Sequence, residues 1–292
     1  MAKKKWGLPN NIIKLKENRV VYSNEWDRNS YKLYENNYYK WMCNEIDSKK
    51  HVLEIGTGIG YSTLSLLKSG HAVIGIDENI ECLKKTKNLL ETNGYEVKYI
   101  SREKIRVLSD GYELLYDKIE NKIESYQALL IEGDILNDDK LFNWISENYS
   151  FDATICWLIG THNYRHANEY IKNANIYSPC DYREKVHKKL SELSCSILNE
   201  DGILNIVDRS PKQAIDMFED GGKKYYKSII GKEYDIISNN FIPYNEALVD
   251  GGIKIGITEI NERLNSSDIE VVNRGEKYSD MYLVSLIFKR QK

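Results

Sequence analysis

Apolar positions along this chain gather into short runs, and the stretches between the runs carry helical spacing. The first clear run, residues 52–55, enters a glycine-rich turn that opens directly into a helical stretch ending near residue 67. Further runs follow at 72–76, 96–100, 128–131, 151–157 and 203–207, each bounded by polar or turn residues. Residues 78–91 read as a helix, and 195–202 read as a helix end followed by a turn at 199–202. Buried strands alternating with helices predict an α/β fold, with a doubly wound, mostly parallel sheet and helices on both faces. Residues 210–230 read as helical, with Gly221 and Gly222 placed to break the helix. Apolar runs at 234–238, 253–260 and 281–288 supply candidate closing antiparallel strands.

The N-terminal part has a different pattern. Tyr31, Tyr34, Tyr38, Trp41 and Met42 recur mostly at three- to four-residue steps, which predicts one aromatic stripe on a helix. With 292 residues the chain buries a substantial core, and 4 prolines leave no obvious hinge between domains. No apolar run reaches the roughly 18 residues needed to span a bilayer. The basic start at Lys3, Lys4 and Lys5 is followed by no apolar region, so a secretory signal is not expected. The 5 cysteines include no C-x-x-C pair, which fits reduced thiols, no zinc site and a cytoplasmic setting. A net charge of −3 disfavours nonspecific nucleic-acid binding, and the basic runs at 3–5 and 223–224 read as solvated surface. Monomer and homodimer are equally open.

Candidate chemistry centres on the glycine turn. Gly56, Gly58 and Gly60 follow Glu54, with Thr57 between the first two, and Tyr61 stands where the dinucleotide fingerprint G-x-G-x-x-G would place its third glycine. An acidic residue followed by G-x-G-x-G resembles motif I of the class I S-adenosylmethionine (SAM) dependent methyltransferases. Asp77 ends the next strand at a distance suited to holding ribose hydroxyls, although a helix N-cap is an equal use for it. The resemblance implies the ribose role for Asp77, and places Glu78 beside the adenine, where many members carry an apolar residue. It also implies that Asp134 bonds the adenine amino group and Ile135 packs on the ring. Cys156 and Trp157 then end the fourth strand at the cofactor. The match covers roughly residues 50–210, with a weaker match at 281–289.

The same resemblance implies SAM as cofactor, S-adenosylhomocysteine (SAH) as its product, and a seven-stranded sheet of order 3-2-1-4-5-7-6 with strand 7 antiparallel. Joining Ile100 directly to Glu132 gives an uninterrupted family pattern, so residues 101–131 read as an insertion, largely helical over 103–126. Whether 96–100 or 127–131 is the third sheet strand stays open. Residues 1–48 are expected to form a helical lid on a methyltransferase domain at 49–292, with residues 211–280 contributing acceptor-side additions. Loops at 239–252 and 261–278 would lie near the acceptor pocket.

Methyl transfer asks the protein to align its reactants, exclude water and, for some acceptors, take a proton. His162 and His166, after the fourth strand, are the candidate general bases; a metal pair and a purely structural use are the alternatives. Tyr164 and Arg165 are candidate acceptor contacts, with Arg165 suited to an acidic group. Tyr38 and Trp41 are candidates to screen the sulfonium by cation–π contact, or simply to pack. The position of the Asn/Asp-Pro-Pro-Tyr/Phe signature of DNA amino methyltransferases holds Cys156-Trp157-Leu158-Ile159 instead, and the Pro-Cys motif of cytosine-C5 enzymes does not stand there either. The expectation is methyl transfer to a nitrogen or oxygen of a small-molecule acceptor. An RNA or protein methyltransferase, and a SAM-binding sensor or subunit without turnover, are the competing readings.

Overall fold

Residues 9–244 and 281–291 are described in the computed structural model. The strands are β1 (His51–Ile55), β2 (Ala72–Asp77), β3 (Val97–Ile100), β4 (Glu103–Leu108), β5 (Gly111–Tyr116), β6 (Ala128–Glu132), β7 (Phe151–Trp157), β8 (Leu198–Pro211), β9 (Tyr234–Tyr244) and β10 (Met281–Arg290). The helices are α1 (Asn10–Glu35), α2 (Tyr38–Asn44), α3 (Tyr61–Lys68), α4 (Ile80–Thr92), α5 (Asp139–Asn148), α6 (Glu169–Asn173), α7 (Pro179–Ile197), α8 (Lys212–Asp216) and α9 (Lys223–Ile230).

Eight strands form one sheet in the order β3-β6-β2-β1-β7-β8-β10-β9. The pairs among β3, β6, β2, β1, β7 and β8 are parallel, and β10 lies antiparallel to both β8 and β9. Parallel strands are covered on both faces, which is why β1, β6 and β7 are almost continuously buried. Their alternate residues feed two separate cores. Leu53, Ile55, Ile74, Ile76, Leu129 and Ile131 join Trp144, Val186 and Leu190 from α5 and α7. Val52, Val73, Ala128 and Ile155 join Met42, Leu64, Leu66 and Leu90 from α2, α3 and α4 on the other face.

The observed order is the expected seven-stranded one with a strand added at the edge. Both runs left open for the third position enter the sheet: β6 pairs with β2, and β3 lies outside β6. The expected helix at 103–126 is a correction. Residues 103–116 form the antiparallel hairpin β4–β5, closed by the two-residue turn between Leu108 and Gly111. Alternation of Glu103, Ile105 and Val107 with Lys104 and Arg106 is a strand period, and Asp110-Gly111 is turn chemistry. The hairpin packs on α1 and α6.

Three further boundaries differ. The aromatic stripe is split, because the helix breaks at Asn36 and Asn37, where Asn37 takes a left-handed φ of 62°. Tyr31 and Tyr34 stay on α1 against Tyr61, while Tyr38 opens α2 and meets Tyr244. Instead of a free turn at 199–202, β8 starts at Leu198 and bulges: pairing jumps from Phe151–Leu198 to Ala153–Ile203. The helical stretch expected over 210–230 is broken into α8, a π turn at Phe218–Gly222 and α9, with both glycines at the break. The expected strand at 253–260 and the loops at 245–252 and 261–278 lie outside the described residues, whereas 239–244 is strand. Among the described residues no helix is long and apolar enough to cross a membrane.

Candidate functional site

At the carboxyl end of β1 the chain makes its glycine turn, with Gly56, Gly58 and Gly60 at φ of 81°, 53° and 94°. These left-handed values favour glycine. A Cβ on Gly60 would also stand 2.9 Å from the Thr86 main chain, so this glycine lets the turn close on α4. The Gly56 amide donates to the Ile76 carbonyl at 2.8 Å, locking the turn to β2. The Gly58 amide donates to Asp77 Oδ2 at 2.9 Å, and the Asn79 amide donates to Oδ1 at 2.8 Å. Asp77 is thereby fixed at the mouth of the turn, where burial, and then the neighbouring Glu78, push its carboxyl up to about 7. The N-cap of α4 is Asn79, whose side chain accepts from the Glu81 amide. The capping role considered for Asp77 therefore belongs to Asn79.

A narrow cavity of about 30 Å³ lies against this turn. Gly56, Gly58, Asp77, Glu78, Asp134, Ile135 and Trp157 all line it. Trp26 and Tyr22 from α1 and Tyr182 from α7 line it too, and sequence reasoning passed over these three. A detectable signal existed: Leu15, Arg19, Ser23, Trp26, Ser30 and Leu33 are buried at three- to four-residue steps, but the polar members conceal the stripe. The glycines leave room that side chains enter: a Cβ on Gly58 would stand 2.3 Å from Trp26 Nε1, and one on Gly56 would stand 2.5 Å from Ile159 Cδ1. Leu158, just after β7, holds an uncommon φ of 56° at the cavity wall.

Other expected cofactor residues sit behind the wall. Glu54 is fully buried and accepts from the Ser62 hydroxyl at 2.5 Å and the Thr63 hydroxyl at 2.6 Å, so it anchors the start of α3 and does not face the cavity. Thr57 packs against Gly75, Gly60 against Thr86, and Cys156 lies in the core. Trp157 donates from Nε1 to Asn205 Oδ1 at 2.6 Å. Burial lifts Glu54 from 4.5 to about 7, and its two hydroxyl donors pull it back only in part. A folded pKa raised above the unfolded value favours folding while the group is protonated, and that contribution fades as pH climbs from about 4.5 through 7. Glu54→Gln should therefore flatten the pH dependence of stability, by on the order of 3 kcal/mol between pH 5 and 8. Urea unfolding of both proteins across that range checks it; parallel curves would refute the assignment.

Glu78 points its charge into a buried network. It is ion-paired with Arg19 at 3.2 Å and accepts from the Thr161 hydroxyl at 3.0 Å, with His162 Nε2 at 3.6 Å and Arg165 Nη1 at 4.0 Å. Burial alone would raise this carboxyl, but Arg165, His162 and Arg19 outweigh it and hold Glu78 near 2. The place expected beside the adenine is thus tied to α1 and the loop after β7. Asp134 accepts from the Leu136 amide at 3.0 Å and is ion-paired with Arg165. Arg165 therefore joins the expected adenine-binding carboxylate to the next cavity.

That second cavity, about 430 Å³, shares Tyr22, Ile159, Gly160 and Tyr182 with the first. Arg165, His162 and His166 line it. The His162 side chain is wholly buried with neither ring nitrogen hydrogen-bonded among the described residues, and burial lowers it to about 4, leaving a neutral imidazole. His166 is exposed and its Nδ1 lies 2.6 Å from the Asn163 carbonyl oxygen. Three expected site residues, the acceptor contact Tyr164 and the sulfonium-screening Tyr38 and Trp41, line neither cavity. Tyr164 donates to Asn11 Oδ1 at 3.1 Å and stacks on Tyr112. Tyr38 donates to the Pro243 carbonyl at 3.2 Å, and Trp41 packs in the core beneath α2. Tyr22 and Trp26 occupy the place foreseen for Tyr38 and Trp41, because the helix that crosses the site is α1.

The groups present suit a nucleoside cofactor: a glycine cradle, a fixed carboxylate at the end of β2, a buried Thr57 hydroxyl nearby with no hydrogen bond among the described residues, and Asp134 followed by Ile135. The sheet order with its antiparallel β10 and this site define a class I methyltransferase fold. No protein-family model matches the chain. Over 80 residues, 26% of the chain, it is 41% identical to a protein-L-isoaspartate O-methyltransferase of Christiangramia forsetii, and it spans about a third (35%) of that relative's length. Among solved structures, the N-methyltransferase NodS from Bradyrhizobium japonicum aligns over 89% of this chain and 97% of its own, with 11% identity and a TM-score of 0.45. Coclaurine N-methyltransferase aligns over 88% and 72%, with 10% identity and a TM-score of 0.46. The chain thus has the sheet order of a class I methyltransferase fold and, over 26% of its length, a sequence likeness to a methyltransferase.

Proposed function

We propose that the protein transfers the methyl group of SAM to a nitrogen or oxygen nucleophile of a small molecule. The observation that carries this reading is the second cavity, which opens beside the cofactor-side cavity, shares four wall residues with it, and is of small-molecule size. SAM supplies an activated methyl group, so the chain's work is to bind, orient and keep water out. Asp77 would accept from the ribose hydroxyls and Ile135 would pack on the adenine. Asp134 would accept from the adenine amino group in competition with Arg165. Tyr22 and Tyr182 stand at the junction of the two cavities and would close the reaction zone.

Between the two histidines proposed as bases, accessibility favours His166. His162 would need to leave its buried position to reach an acceptor, and its neutral, low-pKa ring makes it a weak base. Incubation of the purified protein with methyl-labelled SAM and a cell extract, separated afterwards into small molecules, RNA and protein, tests the reading. Label is expected in the small-molecule fraction. Label in RNA or protein would support the macromolecular alternatives, and calorimetric SAH binding with no labelled product in any fraction would support a sensor or subunit.

A further inference from the structure

Given the methyl-transfer reading above, we propose that the acceptor is an amine carrying an apolar or aromatic body, recognised as a cation by the Glu25 carboxylate and the tyrosine-lined wall of the second cavity. Among the described residues, the charged side chains lining that cavity, histidines aside, are Glu25 and Arg165. They are not equivalent. Arg165 is buried and already faced by two carboxylates, Asp134 in direct contact and Glu78 at 4.0 Å. Its charge is balanced before any ligand arrives. Glu25 is half-buried and has no ion pair among the described residues. The uncompensated charge in the wall is therefore negative.

The rest of the wall agrees with a cation that bears an apolar group. Tyr22, Tyr177 and Tyr182 supply aromatic rings, and Ile159, Ile171 and Pro179 supply apolar surface. Ring faces attract ammonium groups, and more strongly where water is excluded. Of the two histidines in the wall, the buried His162 is neutral, and His166 is solvent-exposed with its Nδ1 at the Asn163 carbonyl. No lysine among the described residues lines the cavity. Before transfer the ammonium must lose one proton, for which His166 or water is the acceptor. The freed nitrogen lone pair forms the new N–CH3 bond as the S–CH3 bond breaks, and the bonding pair stays on sulfur, giving SAH and an N-methylammonium product.

The test uses three probes of similar shape and different charge: phenethylamine, its neutral N-acetyl derivative, and 3-phenylpropionate. Each is titrated calorimetrically into the full-length protein loaded with SAH, whose own binding is measured first in the same sample. Phenethylamine is expected to bind at least about tenfold more tightly than either analogue, and Glu25→Gln is expected to remove about tenfold of that affinity, as loss of one charge-assisted contact would. SAH affinity in Glu25→Gln should stay within about twofold of the parent, because Glu25 lies outside the cofactor-side cavity. Tighter binding of the propionate, equal binding of all three, no binding by any, or an unchanged amine affinity in Glu25→Gln overturns the proposal while SAH binding still stands. Absence of SAH binding itself overturns the methyl-donor reading instead.

Discussion

Replacing Arg19 by methionine should destabilise the fold by about 3–5 kcal/mol, the usual cost of stranding buried charges. Arg19 is 1% exposed and holds three elements at once. Nη1 and Nη2 each donate to Glu103 at 2.7 Å, and Nη2 donates to the Glu78 carbonyl at 2.6 Å. Nη2 also lies 3.2 Å from Glu78 Oε2, so α1, the hairpin and the end of β2 meet on one guanidinium. Methionine keeps much of the volume but leaves two buried carboxylates without their shared cation. The deficit should depend on pH. A carboxyl held near 2 when folded contributes stability above its ordinary value of 4.5, and loses it as pH falls toward 2. In the variant Glu78 loses one of the cations that hold it down, so it protonates at higher pH and the gap between the two proteins narrows below about pH 5. Urea unfolding at pH 7.5 and pH 4.5 reads both effects. A loss below about 1 kcal/mol at pH 7.5 would show that the network contributes little to stability.

Asp77→Ala should weaken SAH binding by about 1–3 kcal/mol, or roughly 5- to 150-fold, since the ribose hydroxyls would lose a charged acceptor. The carboxylate is already oriented by the Gly58 and Asn79 amides, so little ordering cost remains for a ligand to meet. Because burial and Glu78 raise Asp77 to about 7 in the free protein, its acceptor form is depleted below neutrality. Binding to the parent protein should accordingly weaken as pH falls below 7, by up to about tenfold per pH unit, while Asp77→Ala stays flat. Calorimetry at pH 6 and pH 8 on both proteins, with melting curves to confirm folding, decides it. Equal affinities of parent and variant at pH 8 would remove Asp77 from the ribose role.

Much of the site was legible because it rests on local chemistry. The strand, the positive-φ glycines and an acidic residue closing the next strand are consecutive in the chain, and their spacing survives folding. Glu54 shows where such reading stops. It was legible as an acidic residue beside the turn, but Ser62 and Thr63, in the first turn of α3, turn it inward. Glu78 was displaced in a similar way by a partner 59 positions earlier in the chain. Residues 103–116 carry the period of two that the hairpin shows, whereas the family pattern that predicts a helical insertion fixes only the length of that segment.

The sequence by itself determined the alternation of buried strands and helices, and hence a doubly wound sheet with a nucleotide-type turn at the end of β1. Those features depend on periodicity and on φ values that only some residues adopt. Tertiary structure alone decided which helix crosses the site, since Trp26 and Tyr22 reach it from α1 while Tyr38 and Trp41 are carried away after the break at Asn37. It also decided which charges remain uncompensated. Arg165 and Glu25 read alike in sequence as one cation and one anion, but burial sets Arg165 between Asp134 and Glu78 and leaves Glu25 in the cavity wall. Charge balance depends on distances between residues far apart in the chain, and only folding sets those distances.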